Sequence, residues 1–156
     1  MAFTLALLAC IGAGITGGVF FAFSTFVMKA LAQLPASQGV AAMQRINVVV
    51  LNPLFLGVFM GTAVLAAGCV TSAFFPWSVP RSPLLLAAGL LYLAGSFFIT
   101  AAFNVPRNER LARLGIESAE AAAYWPVYVR EWSKWNHVRT AASVASVACS
   151  AAALAY

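Results

Sequence analysis

The sequence predicts an all-α integral membrane protein built as a bundle of four transmembrane helices. Of its 156 residues, 63% are hydrophobic and only 8% are charged, and the mean hydropathy is +0.91. Soluble chains average roughly 45–50% apolar and about 25% charged residues, so this composition does not suit an aqueous domain. At ~20 residues for each spanning helix, four spans fit in a single membrane domain, residues 1–156. A large independent aqueous domain is excluded.

Four stretches with almost no charge define the predicted spans, which we place at residues 3–27, 48–75, 83–103 and 138–156. The first three are long enough to cross roughly 30 Å of hydrocarbon at ~1.5 Å per residue. The last stretch is marginal alone, so its helix must begin earlier in the chain. No Lys or Arg precedes the first stretch, which is also too long for the apolar core of a signal peptide. We therefore expect the first span to be retained.

The connection at 104–137 is the largest part of the chain outside the predicted spans. It mixes acidic with basic residues and contains an Ala-rich run at 119–123 that favours helix. We therefore predict an amphipathic helix on the cytoplasmic surface between spans three and four. The Pro-rich stretch 76–83 forms a short outer turn, because Pro breaks helices.

The basic residues predict the orientation of the bundle. With four spans, the first and third connections share one side, and Arg81 in the second connection lies on the other. The positive-inside rule puts the more basic side in the cytoplasm and both termini outside. Nucleic acid is not an expected partner, because that requires a basic surface on an aqueous domain. Eight of the nine Lys and Arg residues fall on the cytoplasmic side: Lys29, Arg45, Arg107, Arg110, Arg113, Arg130, Lys134 and Arg139.

Small residues indicate how the helices pack. Pairs spaced four apart let two helices approach closely in lipid, and we expect this packing to occur within the chain. A homo-oligomer through these small-residue faces is the alternative. The pairs are Gly14 with Gly18 and Gly57 with Gly61. Three serines share one side of the last helix at ~100° per residue, so that side should face other helices. They are Ser143, Ser146 and Ser150.

A polar layer lies at the predicted cytoplasmic end of the bundle and includes all five Asn residues. Lipid offers an amide no hydrogen-bond partner, so these side chains must pair with each other, with backbone groups or with a ligand. Helix capping is the plainer interpretation, since Asn commonly caps helices. With nearby aromatic residues, the layer predicts an apolar pocket with polar groups. The layer comprises Asn47, Asn52, Asn104, Asn108, Asn136, Arg107 and Arg139.

His137 is the only histidine, the residue type that commonly exchanges protons near neutral pH. One histidine excludes a bis-His haem within one chain, and the absence of Asp argues against a carboxylate-bridged di-iron site. Catalysis by this chain should therefore be acid–base chemistry. On an ideal helix, however, Asn136 and Arg139 lie on the same face as the three serines, and His137 lies ~200° around the helix from Arg139. His137 then either reaches the pocket through an irregular helix or is a surface histidine.

Four segments carry a resemblance to a known family. They are GGVFFAFSTFVMKAL (17–31), QRINVVVLNPLF (44–55), FNVPRNERLA (103–112) and WSKWNHVRTAAS (132–143). In these segments, and in the ordered motifs N-x-P-x-N and W-N-H-V-R-T, the sequence resembles the anthrone oxygenase-like family of small four-span membrane proteins.

The resemblance implies a membrane oxygenase that converts an anthrone, a polycyclic phenol-ketone, to its quinone with molecular oxygen and no cofactor. It implies a multi-pass protein of a bacterial inner membrane whose partners are the lipid bilayer, a lipophilic small molecule and molecular oxygen. Removing the proton that activates an anthrone gives an electron-rich anion, so the enzyme must supply a base and hydrogen-bond donors for the oxyanion.

On this basis we assign His137 as the base and Arg139 as a catalytic donor to the oxyanion, with no metal. A non-enzymatic protein that binds a quinone, a lipid, or haem through an axial His137 is the alternative, and a small accessory or carrier subunit is a third. The expected substrate-binding residues are Asn52, Asn104, Arg107, Asn108, Trp132, Trp135 and Asn136.

Overall fold

The structure, a computed structural model, describes residues 2–156, and that range contains five continuous helices and no strand. Helices α1 and α4 each combine α-helical with π-helical segments. Helix α1 consists of Ala2–Ala22, Phe23–Val27 and Met28–Ala32; α2 is Ala36–Val49; α3 is Pro53–Ser72; α4 runs through Arg81–Leu90, Leu91–Phe98, Thr100–Asn104 and Val105–Ala112; and α5 is Ala119–Leu154.

Three of these helices are long and apolar enough to cross a membrane. They are α1 from Phe3 to Ala32, α3, and α4 from Arg81 to Ala112. Helix α5 is not among the three. Length and composition therefore support three spans, and the fourth stays a prediction.

The C-terminal half of α5 nevertheless packs into the bundle. Helices α1, α3, α4 and α5 form a ring in which α5 lies between α1 and α4. Ser143, Ser146 and Ser150 are all buried, which confirms that the serine side faces other helices. The Ser146 hydroxyl donates to the carbonyl of Ala88 at 2.8 Å, and the hydroxyls of Ser96 and Ser143 lie 2.6 Å apart. These bonds join α5 to α4.

At the end of the bundle that holds the polar layer, α1, α4 and α5 extend further than the predicted spans, whereas α3 begins at Pro53 and not at residue 48. The predicted connection 104–137 is not a separate helix, because α4 continues to Ala112 and α5 begins at Ala119. The connection expected at residues 33–46 contains most of α2, which runs into the start of the predicted second span. Charged residues indicate where the chain leaves an apolar environment. A helix, in contrast, ends where its backbone hydrogen-bond pattern is interrupted. Ser118 starts α5 by accepting the N–H of Ala121 at 3.1 Å.

The glycines that permit close helix packing differ from the predicted ones. A Cβ built at Gly18, Gly57 or Gly61 would meet no atom within 4 Å. A Cβ at Gly89 would lie 2.5 Å from the carbonyl oxygen of Ala66, so α3 and α4 approach closely there. The expectation that these three glycines pack against helices of the same chain was wrong, because spacing does not show which side of a helix faces a neighbour.

We expect Gly89→Ala to lower the thermal unfolding midpoint in detergent and Gly61→Ala to leave it unchanged or raise it. The methyl at position 89 must displace a backbone carbonyl, and such overpacking typically costs ~1–3 kcal/mol. At position 61 the methyl meets open space and removes the helix penalty of glycine, about 0.5–1 kcal/mol. Circular dichroism during heating measures both midpoints, and equal midpoints would contradict this packing.

Candidate functional site

A cavity of about 430 Å³ lies among all five helices, at the end of the bundle that holds the predicted polar layer. Most of its wall is aliphatic or aromatic, and the rings of Phe20 and Phe59 meet edge to face with centroids 6.4 Å apart. Ligand pockets combine such apolar walls with a few polar groups. The polar residues on this wall are Gln44, Asn47, Thr100, Asn104, Asn108, Glu109 and Arg139.

Two π-helical segments form part of the wall. Phe23–Val27 in α1 contributes Phe23, and Thr100–Asn104 in α4 contributes its first and last residues. A π turn holds more residues than an α turn, and such turns frequently occur at functional sites. Thr100 and Asn104 are one helical turn apart, so they share a face of α4 and both line the cavity.

Arg139 is the cation of the cavity wall, and only 5% of its surface is exposed. Its Nη1 donates to the Thr100 hydroxyl at 3.0 Å and its Nη2 to Oδ1 of Asn136 at 2.6 Å. Its Cζ lies 4.1 Å from the ring centroid of Phe20 and 5.1 Å from that of Trp132. No carboxylate of residues 2–156 forms an ion pair with it. Because an uncompensated buried charge is costly, this guanidinium is suited to an anionic ligand.

Three buried polar atoms on the cavity-lining residues have no hydrogen-bond partner within residues 2–156. They are Nδ2 of Asn47, Oδ1 of Asn104 and Nε of Arg139. Buried polar atoms are normally satisfied. Two of these atoms are donors and one is an acceptor, and all three are withdrawn from the open space of the cavity, so a ligand reaches them only when wall side chains move.

Asn136 positions the guanidinium from behind the cavity wall. It is fully buried, and its Nδ2 donates to the carbonyl of Phe20 at 2.8 Å and to the Ser24 hydroxyl at 2.7 Å. These bonds turn its Oδ1 toward Arg139. Asn136 therefore connects α1 to the cation on α5.

Asn108 has a similar role at the other side of the cavity. Its Oδ1 accepts hydrogen bonds from the Tyr128 hydroxyl and from Nε1 of Trp132, both at 2.8 Å. Burial raises the pKa of Tyr128, so the phenol stays protonated and donates at neutral pH. Asn104 also faces α5, where its Nδ2 donates to the carbonyl of Trp132 at 3.3 Å. Trp132 is thus held by both amides.

Comparison with known proteins identifies the family of the chain. The family model described as anthrone oxygenase matches residues 54–149, more than half of the chain. The chain belongs to the anthrone oxygenase family. The match confirms the resemblance found in the sequence, and it covers Asn104, Asn108, Trp132 and Arg139. No curated protein and no solved structure matches the chain.

Five of the predicted site residues come together in this member of the anthrone oxygenase family, but His137 does not join them. Its side chain is exposed, on the far side of α5 from Asn136 and Arg139, as the helical register indicated. It is not on the cavity wall. The residues that come together are Asn104, Asn108, Trp132, Asn136 and Arg139.

Three other predicted residues also lie outside the cavity. Asn52 is exposed and caps α3, where its Oδ1 accepts the N–H of Phe55 at 3.0 Å. Arg107 donates to the carbonyl of Phe103 at 2.7 Å and pairs with Glu131 at 3.6 Å. Trp135 stacks on Phe103, with ring centroids 3.7 Å apart. The capping interpretation therefore accounts for Asn52.

Sequence reasoning missed three polar residues of the cavity wall, namely Gln44, Thr100 and Glu109. Gln44 lies on α2, which was expected to be a connection, and its Nε2 donates to the carbonyls of Leu111 and Leu114 at 2.9 and 3.0 Å. Glu109 was assigned to a surface helix, yet it is an exposed residue at the cavity. The N-x-P-x-N motif, which directly precedes it, was the one available signal.

We expect Asn136→Ala to destabilise the protein strongly and His137→Ala to leave its unfolding midpoint nearly unchanged. The first change removes the partner of the buried Arg139 guanidinium and of the Phe20 carbonyl, and each unsatisfied group costs about 1–3 kcal/mol. The second changes an exposed side chain in the same helical turn, which makes it a matched control. Thermal unfolding in detergent measures both, and an equal loss in the two variants would contradict the burial described above.

Proposed function

We propose that the protein is a membrane-embedded oxygenase that converts a lipophilic, anthrone-like aromatic ketone to its quinone with molecular oxygen and no resident cofactor. The observation that supports this most is the guanidinium of Arg139, buried without a counter-ion at the wall of an apolar cavity. Membership of the anthrone oxygenase family supports the reaction class.

The proposed reaction oxidises a ring methylene, R₂CH₂, with O₂ to give R₂C=O and H₂O. Loss of a methylene proton leaves an anion whose charge rests largely on the existing carbonyl oxygen. The anion transfers an electron to O₂, and the two radicals combine to form a hydroperoxide after uptake of a proton. Loss of the second hydrogen as a proton, with departure of hydroxide, breaks the O–O bond and forms the new carbonyl group. One oxygen atom enters the quinone and the other leaves as water.

Arg139 stabilises this anion in the proposal. When substrate binds, the wall side chains move so that the unpaired Nε of Arg139 and Nδ2 of Asn47 donate to the oxyanion, while the unpaired Oδ1 of Asn104 accepts from a substrate hydroxyl. Donors arranged in advance in an apolar site stabilise developing charge far better than water does. The rings of Phe20 and Phe59 provide flat apolar walls for the substrate.

Glu109 is our candidate for the base in place of His137. It is the only acidic residue among those that line the cavity, whereas His137 is exposed elsewhere on α5. Haem held through His137 does not fit the residues present, since the imidazole does not face the cavity. Tight binding of an aromatic ligand without turnover would favour the alternative, a quinone-binding or lipid-binding protein.

We also propose that α5 crosses the membrane after residue 138 as a fourth span, with both termini outside, in a bacterial inner membrane. Its buried serine side faces α1 and α4, and Val144 on another side is 56% exposed, as suits a lipid-facing residue. The basic residues cluster at the opposite end from Arg81, which supports a cytoplasmic position for the cavity.

We expect purified protein in detergent to consume one O₂ for each quinone formed from an anthrone, and Arg139→Gln to lower kcat/KM about 10²–10³-fold. That is the usual loss when one oxyanion donor is removed. Oxygen uptake and quinone absorbance measure the two quantities. Arg113→Gln, which neutralises an exposed residue away from the cavity, is the matched control. Equal activity of the two variants would contradict the role of Arg139.

The same assay distinguishes the candidate bases. We expect Glu109→Gln to lower kcat while Glu117→Gln, a change at an exposed residue of the α4–α5 connection, keeps the wild-type rate. A loss of activity in His137→Ala but not in Glu109→Gln would return the role of base to His137.

We expect reporters fused to the two ends of the chain to lie on the same side of the membrane, outside the cytoplasm. Four spans place both ends together, whereas three spans place them on opposite sides. Alkaline phosphatase, active only outside, and green fluorescent protein, fluorescent only inside, can each be fused before Met1 or after Tyr156. A cytoplasmic reporter at Tyr156 alone would remove the fourth span, and cytoplasmic reporters at both ends would reverse the orientation.

A further inference from the structure

We propose that the cavity opens sideways into the bilayer and receives its ligand from the acyl-chain region of the membrane. This inference rests on the membrane placement given under the proposed function and adds the route and the substrate class. The ligand would be an aromatic compound that partitions into lipid as a neutral molecule and becomes anionic only inside the cavity. The acyl chains of the bilayer are the partner that covers the opening.

The exposed part of the cavity wall is almost entirely apolar. Four large hydrophobic residues both line the cavity and are exposed: Val48 by 64%, Leu51 by 63%, Met60 by 51% and Val105 by 39%. The first two lie at the corner between α2 and α3, and the others lie on α3 and α4. These three elements therefore surround the opening, which we call the mouth.

The mouth is continuous with a surface expected to face lipid. Met60 lies within α3 and Val105 within α4, and both helices are apolar and long enough to span a membrane. Residues four apart share one face of a helix, and four residues beyond Met60 lies Val64, which is 72% exposed. The face of α3 that borders the mouth is thus also the face that would contact acyl chains.

Polarity increases from the mouth into the cavity. Glu109 is the single charged residue on the exposed part of the wall, whereas Asn104 and Arg139 are 1% and 5% exposed. Apart from Glu109, a neutral aromatic molecule therefore meets apolar side chains first and the buried hydrogen-bonding groups at depth. A cavity filled from water would instead expose polar groups at its entrance, because an apolar entrance of this kind is poorly solvated.

The corner between α2 and α3 has the character of a segment in contact with lipid. Residues 48–51 are Val-Val-Val-Leu, and Val49, which does not line the cavity, is 55% exposed. Exposed apolar patches of this kind usually mark membrane or partner contacts. Arg45 is exposed one turn earlier. Its long side chain can extend the guanidinium to the membrane–water interface while the corner contacts hydrocarbon. The proposal therefore places the corner below the headgroup layer.

Nitroxide labels can test this placement without an activity assay. In full-length protein whose Cys10, Cys69 and Cys149 are replaced by Ala, single cysteines are introduced as Leu51→Cys or Val105→Cys, labelled, and reconstituted in phosphatidylcholine vesicles. Collisions with O₂, which concentrates in hydrocarbon, are compared with collisions with a water-soluble nickel chelate. We expect both labels to collide preferentially with O₂, by several-fold relative to an aqueous reference.

Two reference labels calibrate the measurement. Val64→Cys reports the lipid-facing side of α3, and Arg113→Cys reports the exposed turn between α4 and α5. If the labels at Leu51 and Val105 resemble the one at Arg113 while Val64 does not, the mouth faces water and the inference is wrong. If Val64 also resembles Arg113, the membrane placement itself fails, so the two failures are distinct. The second mouth label keeps the test decisive if Leu51→Cys does not fold.

Discussion

The burial of the Arg139 guanidinium is the constraint on which the rest of the site depends. A cation removed from water must recover its lost hydration through hydrogen bonds and nearby electron-rich groups. Here Thr100 and Asn136 accept two of its hydrogen bonds, and the rings of Phe20 and Trp132 contact it. None of these groups carries a negative charge. The charge of Arg139 is solvated by the protein and remains unneutralised.

This requirement explains several otherwise unrelated features of the bundle. Asn136 can accept from Arg139 only because α1 supplies acceptors for its own amide hydrogens, at Phe20 and Ser24. Thr100 begins the π-helical segment of α4, and Trp132 is fixed by hydrogen bonds to residues of α4. The regular packing of the serine side and the π-helical turns around the cavity therefore act together. They hold the Arg139 guanidinium rigidly beside an apolar space.

The part of this site that lies on α5 could be predicted from the sequence, because a long helix has a fixed period. If the face of α5 that bears the serines packs against the bundle, the helical period also buries Asn136 and Arg139 and exposes His137. The contribution of α2 could not be predicted, since charge separates polar from apolar segments without showing where a helix ends. Thr100 could have been found, because it lies one turn before Asn104 on the same helix face, whereas Gly89 was missed because its role depends on a neighbouring backbone.

A buried cation without a counter-ion also determines which form of a ligand the cavity can favour. A neutral ketone gains one hydrogen bond from the guanidinium, whereas the anion formed by loss of a proton gains the full charge interaction in an apolar environment. An interaction that strengthens as charge develops lowers the barrier to forming that charge, and equal binding of both forms would not. A carboxylate beside Arg139 would abolish this difference by neutralising the cation in advance. In the proposed reaction, the absence of such a partner among residues 2–156 is therefore what lets the cavity promote deprotonation instead of merely holding an aromatic molecule.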